Sequence, residues 1–342
     1  MPEIKKIPLS LSGIASGLGT VGPGVLLCVV LAIAAQFLSD HYGAPAMLFA
    51  LLLGIAFGFL AEEGRCVAGI ELSSQSILRI GVALLGVRIS ADLVSKLGWE
   101  PIALVIAGVF AVIGFGLVGA RILGRGWRLA LLTGGAVAIC GVSAAMAIAS
   151  VLPKNRNSER NLTFTVLGVT ILSTLAMIVY PIVAELLRLT EMETGVFFGG
   201  TIHDVAQVVG AGFSVSETTG ETATVVKLIR VTMLAPVILI FGLFFAVFGV
   251  DRPVGEKPPL VLGFILLFFA LAAANSFDLV PASVRDLLSG ISRWALLIAI
   301  AAVGMKTSLR KIAEVGSTAV VLICAETLFL AAFICIGIRA LM

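Results

Sequence analysis

An adjacent histidine and aspartate, His203 and Asp204, lie within an apolar run of the sequence. Ionisable side chains in a run of membrane-spanning length are costly to bury, and they commonly mark a substrate or ion site. A desolvated aspartate beside an imidazole could exchange a proton in each working cycle. Alternatively, Asp204 caps a helix that begins at Val205, and His203 is hydrogen-bonded in a buried turn. We expect the pair to belong to a functional site, and its role stays open between these two interpretations.

Two cations, Lys227 and Arg230, lie three residues apart in the next apolar run. This spacing places both side chains on one face of a helix. They could bind a carboxylate, a sulfate or a sulfonate, because a charge inside a membrane needs a compensating charge. Alternatively, Lys227 forms an ion pair with Asp204 or Glu221, or extends toward the membrane interface.

A third group, Cys140, Gly141 and Ser143, aligns with the His-Asp motif when the sequence is shifted by 62 to 63 positions. Helices that start after Gly141 and after Asp204 would direct free N–H groups and positive dipole ends at a common point, which suits an anion. A buried thiol in apolar surroundings is usually unreactive, so the pattern indicates binding and not catalysis, and no enzyme activity is expected. The predicted substrate-binding residues are Cys140, Gly141, Ser143, His203, Asp204, Gln207, Lys227 and Arg230.

A further acidic residue, Glu326, lies near the middle of the last apolar segment. A carboxyl group at this depth could bind a proton or Na⁺. It could equally pair with Arg79 or Arg293 and serve packing alone. The candidates for the coupling function are therefore His203, Asp204 and Glu326.

The composition explains why these residues must act inside a membrane. Of the 342 residues, 59% are hydrophobic and 13% charged, and the mean hydropathy is +1.14. These values exclude a soluble globular enzyme and allow about ten or eleven membrane crossings. The net charge of +3 comes without a basic stripe, so no nucleic-acid partner is expected. The five cysteines show no metal-ligand or disulfide spacing, and we predict no metal and no cofactor.

Apolar runs separated by charged breaks divide the chain into eleven segments. No connection is long enough for a soluble domain, so residues 1–342 are predicted to form a single membrane domain. We interpret the N-terminal run as a transmembrane helix that is retained, not as a removed signal peptide. The segments cover about 21–39, 45–61, 73–90, 99–121, 129–152, 161–184, 193–214, 223–249, 259–275, 284–305 and 315–341.

Two internal repeats constrain the topology. Residues 73–123 resemble residues 291–341 at a shift of 218 positions, and the weaker repeat relates 129–152 to 193–214. The first repeat joins segments separated by an odd number of crossings, which is the inverted-repeat pattern of secondary transporters. The second repeat is inverted as well only if 129–152 and 193–214 are re-entrant hairpins with tips near Cys140 and His203.

We therefore predict an all-α polytopic membrane protein with about nine spanning helices and two re-entrant or broken helical hairpins. Eleven full spans are the alternative. The hairpin topology with a cytoplasmic N-terminus places more Lys and Arg in the cytoplasm than eleven spans do, as the positive-inside rule requires. Glycines near both predicted tips provide the bends that broken helices need.

Three runs of the sequence resemble the sulfate exporter family of prokaryotic membrane proteins. The resemblance extends from about residue 44 to the C-terminus, and its most specific part is His-Asp-Val-Ala-Gln. It implies a relation to the superfamily of bile-acid symporters and cation/proton antiporters, with inverted repeats and discontinuous helices. The runs are Ala138–Ala144, Ile202–Ala211 and Lys227–Arg230.

The function predicted from these features is secondary active transport of a small inorganic or organic anion, such as a sulfate, sulfite, sulfonate or carboxylate. Transport would be coupled to H⁺ or Na⁺, since the chain has no phosphate-binding loop for ATP. An anion channel is the alternative, although inverted repeats with two motifs at one depth favour a transporter. The expected location is the prokaryotic cytoplasmic membrane, with lipid as the surroundings and a homodimer as one assembly to test.

Overall fold

In the computed structural model of the chain, helices joined by short turns make up the described residues, and no strand occurs in those ranges. Helices are expected because a backbone within lipid must satisfy its own hydrogen bonds. The structure describes residues 11–43, 45–89, 97–153, 155–247, 262–306 and 318–342.

We number the helices of these ranges in chain order. Two of them, α3 and α4, are joined by a π-helical turn at Ser73–Ile77. The helices are α1 Leu11–Tyr42, α2 Ala46–Ala56, α3 Val67–Leu72, α4 Leu78–Leu85, α5 Glu100–Ile122, α6 Trp127–Ala138, α7 Val142–Val151, α8 Ser158–Leu186, α9 Glu191–Thr201, α10 Val205–Val215, α11 Glu217–Thr232, α12 Leu234–Val247, α13 Leu262–Ser276, α14 Ala282–Lys306 and α15 Thr318–Leu341.

Within the described ranges, seven helical stretches are long and apolar enough to cross a membrane. Four further apolar helices are shorter, and two of these, α7 and α10, belong to the predicted hairpins. A helix needs about 20 residues to cross the hydrocarbon layer, so the short helices do not cross it alone. The seven stretches are Gly19–Tyr42, Val67–Arg88, Glu100–Ile122, Ser158–Leu186, Glu217–Phe245, Ala282–Lys306 and Val320–Leu341.

The contacts divide the chain into two compact units, and the first comprises Met1–Leu85 and Ala282–Ser308. Helices α2 and α14 lie close together in this unit: the carbonyl oxygen of Ala301 occupies the space that a Cβ on Gly54 would take. Small residues allow such approach between helices in membranes, where backbone proximity replaces the hydrophobic effect. Ser292 Oγ adds a hydrogen bond of 2.7 Å to Gly81 O.

The second unit comprises Gly86–Pro281 and Leu309–Met342 and contains all the predicted substrate-binding residues. Its helices α5 and α15 pack antiparallel: Leu104 near the start of α5 contacts Gly337, and Leu322 near the start of α15 contacts Gly119. A shift of 218 residues converts the first contact into the second. These two contacts are therefore equivalent: exchanging the repeated segments turns each of them into the other.

Candidate functional site

The helical pairs α6–α7 and α9–α10 have the same register. Helix α6 ends at Ala138 and α7 begins at Val142, while α9 ends at Thr201 and α10 begins at Val205. Each break is three residues long, and the two breaks are 63 positions apart. Cys140 and Gly141 occupy the first break, and His203 and Asp204 occupy the equivalent positions of the second.

The α9–α10 pair turns back on itself. Thr219, in the first turn of α11, donates from its hydroxyl to Glu191 O at the start of α9, over 3.0 Å. The same residue donates its N–H to the Oγ of Ser216, which directly follows α10, over 3.1 Å. Both ends of this segment therefore lie at the start of α11, and its break lies at the far end of a helical hairpin.

The α6–α7 pair turns back in the same way, from the other direction. Ile148 Cδ1 fills the space that a Cβ on Gly135 would take, so α7 lies alongside α6. Trp127, the first residue of α6, has its ring 5.5 Å from that of Phe245, near the end of α12. Helices α11 and α12 form one long apolar stretch from Glu217 to Phe245. The two hairpins thus begin at opposite ends of this stretch.

The breaks meet midway along the stretch, and there two buried cations bind both of them. Lys227 Nζ donates to Ile139 O over 2.8 Å and to Ile202 O over 2.9 Å. The Lys227 side chain is completely buried. One ammonium group therefore joins the last carbonyls of two helices that approach from opposite directions.

Arg230 extends this arrangement. Its guanidinium donates to Val137 O over 2.8 Å, to Ala138 O over 2.9 Å, to Gly199 O over 3.0 Å and to Ile202 O over 3.3 Å. The last carbonyls of a helix have no intrahelical partner and carry the negative end of its dipole. Both cations therefore compensate the C-terminal ends of α6 and α9.

This geometry bears on the roles expected for the cations. Among the described residues, no ion pair joins Lys227 to Asp204 or Glu221, since Glu221 binds Arg88 at 2.6 Å. Most of the N–H groups of Lys227 and Arg230 bind backbone carbonyls at the C-terminal ends of α6 and α9. Their positive charge is therefore fixed behind the breaks, that is, on the side of these C-terminal ends. Direct contact between these cations and an anion stays a prediction.

The opposite sides of the breaks are helix N-termini. Helix α7 begins after Gly141, whose backbone has φ +65° and whose Cβ, if present, would lie 3.5 Å from His203 Cβ. Helix α10 begins after Asp204, whose Oδ1 accepts from Ala206 N over 2.8 Å. Ser143 in the first turn of α7 and Asp204 are half-exposed, whereas the cations are buried. The accessible part of the breaks therefore presents two positive helix ends.

Asp204 has the capping geometry that the sequence analysis considered as an alternative to proton exchange. Its carboxylate caps α10, and its own N–H donates to Ser173 Oγ over 3.0 Å. Capping keeps α10 in register and leaves the second carboxylate oxygen at a half-exposed position. Whether Asp204 also exchanges protons stays a prediction.

His203 is completely buried, and its Nε2 lies 3.0 Å from Thr327 Oγ1 on α15. Its Nδ1 has no hydrogen-bond partner among the described residues. Gln207, one turn further along α10, donates from Nε2 to Thr174 Oγ1 over 2.9 Å, and its Oε1 is likewise buried without a partner. Gln207 Oε1 is therefore a buried acceptor near the break with no partner among the described residues.

Glu326, the third coupling candidate, lies on α15 next to Thr327, the residue that contacts His203 in the second break. Its side chain is fully buried, and its Oε1 lies 2.9 Å from Thr133 Oγ1 on α6. The described contacts thus assign it a threonine partner, where the sequence analysis considered Arg79 or Arg293. Cys140 is buried at the tip of the first hairpin, and its neighbour Gly141 lies against His203.

The sequence analysis did not single out the hydroxyl residues that hold the breaks in place. Ser173 and Thr174 on α8 bind the second hairpin, and Thr327 binds His203. A serine or threonine in an apolar helix usually bonds to its own helix, so its residue type alone carries little signal. In the sequence, only the adjacent polar residues Ser173 and Thr174 in the middle of an apolar segment indicate such a role.

The chain matches known proteins over most of its length. A family model described as conserved hypothetical protein 698 matches residues 23–323. The chain belongs to this family. Relatives are bacterial membrane proteins: a UPF0324 membrane protein of Rhizobium meliloti (strain 1021) is 65% identical and covers 98% of both chains. The UPF0324 membrane protein TauZ of Paracoccus denitrificans is 60% identical over 93% of this chain and 95% of the relative. One from Chlorobaculum tepidum is 52% identical over 91% and 87%.

Proposed function

We propose that this protein is a secondary active transporter of a small anion, of the sulfate, sulfite, sulfonate or carboxylate class. The observation that carries the proposal is the meeting of two helix breaks, from hairpins that begin at opposite ends of the α11–α12 stretch, at Lys227 and Arg230. Broken helices at one depth, with half-helix ends directed at a common point, are the usual substrate-site architecture of secondary transporters.

The anion would bind between the N-termini of α7 and α10. There the first-turn N–H groups, Ser143 and the Gln207 side chain offer hydrogen bonds, and Cys140, Gly141 and His203 form the wall. Lys227 and Arg230 would act from behind the breaks, because a fixed buried charge favours an anion even without touching it. Asp204, which caps α10, would place a half-exposed carboxylate next to the anion site.

The same geometry supports the finer topology that we propose: about nine spanning helices and two re-entrant hairpins, with the N-terminus in the cytoplasm of a bacterium. Inverted repeats relate positions by a two-fold axis in the membrane plane. The exchange of the Leu104–Gly337 and Leu322–Gly119 contacts supports such an axis between α5 and α15. We also propose that the family is the sulfate exporter family, related to bile-acid symporters and cation/proton antiporters, with H⁺ or Na⁺ as the coupling ion.

Reconstituted vesicles test the proposal. Vesicles loaded with unlabelled sulfate, sulfite, methanesulfonate or succinate would be diluted into the same labelled anion, and we expect saturable counterflow with at least one of them. Lys227→Arg should keep part of this exchange, and Lys227→Ala should lose it, because the buried charge is then gone. Folding of each variant must be matched by size-exclusion chromatography.

The outcomes separate the candidate functions. Counterflow above that of empty vesicles is a property of a carrier, whereas a steady anion current without saturation would replace the transporter by a channel. If properly folded protein neither binds nor exchanges any of the four anions, the proposed substrate class is wrong.

A further inference from the structure

We propose that Glu326 is the proton site of this protein: a neutral carboxyl group that contacts the first hairpin and whose deprotonation and reprotonation couple anion movement to a pH gradient. The inference rests on the proposed transport function and assigns its coupling ion and the residue that carries it.

The carboxyl group of Glu326 lies at the contact of α5, α6 and α15, and its side chain has no exposed surface. Its Oε1 occupies the space that a Cβ on Gly116 would fill and lies 3.6 Å from the corresponding position on Gly134. Its Oε2 is buried and has no hydrogen-bond partner among the described residues. Two glycines therefore make room for a carboxyl group whose charge nothing described in its surroundings compensates.

The surroundings of the carboxyl group favour its neutral, protonated form. Thr133 Oγ1 donates to Glu326 Oε1 over 2.9 Å and also lies 3.0 Å from Leu129 O, one turn back on its own helix. A hydroxyl has one proton to donate, so a single neutral donor shared with Leu129 O is all that is described for Oε1. The unpartnered Oε2 is the oxygen that would bind a proton. A neutral carboxyl group also avoids the cost of an unpaired charge in an apolar interior.

The next residue on α15 also contacts a hairpin. Thr327 Oγ1 donates to Ile323 O over 2.8 Å and lies 3.0 Å from His203 Nε2. Consecutive residues of one helix therefore bind the first hairpin through Thr133 and the break of the second hairpin through His203. A change in the protonation of Glu326 acts on both hairpins at once.

Other ionisable groups are distant from Glu326 along the helices packed against α15. The described hydrogen bonds connect α15 to one titratable group near Glu326, His203, through Thr327. Tyr180 of α8 is titratable as well, and its ring packs on Phe197 of α9. The charged residues of these helices lie in terminal turns: Glu100 and Arg121 of α5, Arg128 of α6, Glu159, Arg160 and Glu185 of α8, and Glu191 and Glu193 of α9.

A proton suits this site better than Na⁺. A hard cation binds several oxygen ligands at once. Beyond its own two oxygens, Glu326 has one described hydrogen-bond partner, Thr133, and Gly116 and Gly134 line its carboxyl group. On the same helix, Phe329 stacks on Phe115 with ring centroids 4.4 Å apart. A proton needs no further ligand, and a carboxyl group alone can bind it.

The first experiment detects the proton directly and does not depend on transport. The O–H of a neutral carboxyl group adds across one C=N bond of dicyclohexylcarbodiimide to give an O-acylisourea. Transfer of the acyl group from oxygen to nitrogen then leaves a stable N-acylurea on the side chain. In parent protein in membranes, we expect mass spectrometry to find the adduct on Glu326 and to find less of it as the pH rises. Glu185→Gln, at an exposed position, should keep the Glu326 adduct, and Glu326→Gln should lose it. Infrared spectra should show a carboxylic acid band that is lost in Glu326→Gln alone. Absence of both signals in folded parent protein would overturn the proposal.

The second experiment separates coupling from transport, in vesicles with the membrane potential clamped. With one proton per anion, a gradient of one pH unit corresponds to about tenfold accumulation of the transported anion. We expect Glu326→Gln to lose this accumulation while keeping anion counterflow, and Glu185→Gln to keep both. Glu326→Asp retains a carboxyl group and should keep part of the accumulation. If Glu326→Gln accumulates anion at the parental level, Glu326 is not the coupling residue, although the transporter assignment stands. If parent protein shows no counterflow, the transport function fails and the proton site is judged by the labelling alone.

Discussion

At the residue scale, the two buried cations serve the protein's own backbone. Together, Lys227 and Arg230 bind five carbonyl oxygens, of Val137, Ala138, Ile139, Gly199 and Ile202, at the ends of α6 and α9. Without the cations these oxygens would be buried without partners, which costs about 1–3 kcal/mol for each group. The fold at the breaks therefore depends on both cations before any substrate binds.

Arg230→Ala should lower the free energy of unfolding by about 3 kcal/mol or more, because it removes the donors of several buried carbonyls at once. Thermal unfolding in detergent would measure the loss. Arg156→Ala, at an exposed position, is the matched control and should change stability little. If the two variants unfold at the same temperature, the carbonyls have other partners and the bonding role of Arg230 is wrong.

Gly141→Ala should destabilise the first hairpin by about 1–2 kcal/mol, because an L-residue with a side chain is strained at a φ of +65°. Gly114→Ala is the control: this glycine lies within α5 with no atom within 4 Å of its Cβ position. Since alanine favours helix over glycine by up to about 1 kcal/mol, Gly114→Ala should be neutral or stabilising. Equal melting temperatures for the two variants would contradict a positive-φ requirement at Gly141.

The sequence carries enough information to locate the breaks but not to assign every partner within them. His203, Asp204, Cys140 and Gly141 stand out because their types are unusual in apolar runs and because the two motifs align. The bonds of Arg230 to backbone oxygens cannot be predicted in this way, since any residue supplies a carbonyl. Glu326 is conspicuous by its charge, but its partner Thr133 is one hydroxyl residue among many.

At the element scale, helix length carries the architectural argument. Helices α6, α7, α9 and α10 have 10 to 12 residues each, about half of what crosses the hydrocarbon layer. The apolar pattern of the sequence predicts the outer limits of each pair. A run of apolar residues does not show whether the chain continues or turns back after a break, so the prediction of hairpins depends on the repeats and on charge counting. The contact of Gly135 with Ile148 and the bond of Thr219 to Glu191 O show that each pair turns back at its break.

Accessibility labelling tests the hairpins as elements. With the native cysteines replaced, single cysteines at Gly126 and Asn157 should react with an impermeant maleimide from one face of the membrane. Cysteines at Arg188 and Thr218 should react from the opposite face, because α8 crosses between the two hairpins. If Gly126→Cys and Asn157→Cys react from different faces, the α6–α7 segment spans the membrane and the proposed topology with nine spans is wrong.

At the scale of the whole molecule, the relation between α5 and α15 is nearly symmetric but not fully so. The contacts of Leu104 with Gly337 and of Leu322 with Gly119 are equivalent under exchange of the repeats. A second pair of contacts is equivalent in position and different in chemistry: Gly108 faces Ile334, whereas Glu326 faces Gly116. The pairs each combine a small and a large residue, so the packing volume is kept while the polarity is confined to one of them.

Under the transport function proposed above, this imperfect symmetry has a thermodynamic consequence, because a transporter alternates between two states. Exchange of two identical halves would convert the inward-facing state into the outward-facing one, and the two states would then be degenerate. Glu326 removes that degeneracy, because the carboxyl group belongs to one half and its counterpart at Gly108 is apolar. The empty protein should therefore rest mainly in one orientation, and the pH should change which one is populated. Vectorial operation would then originate in part from one acidic residue that the other half of the repeat lacks.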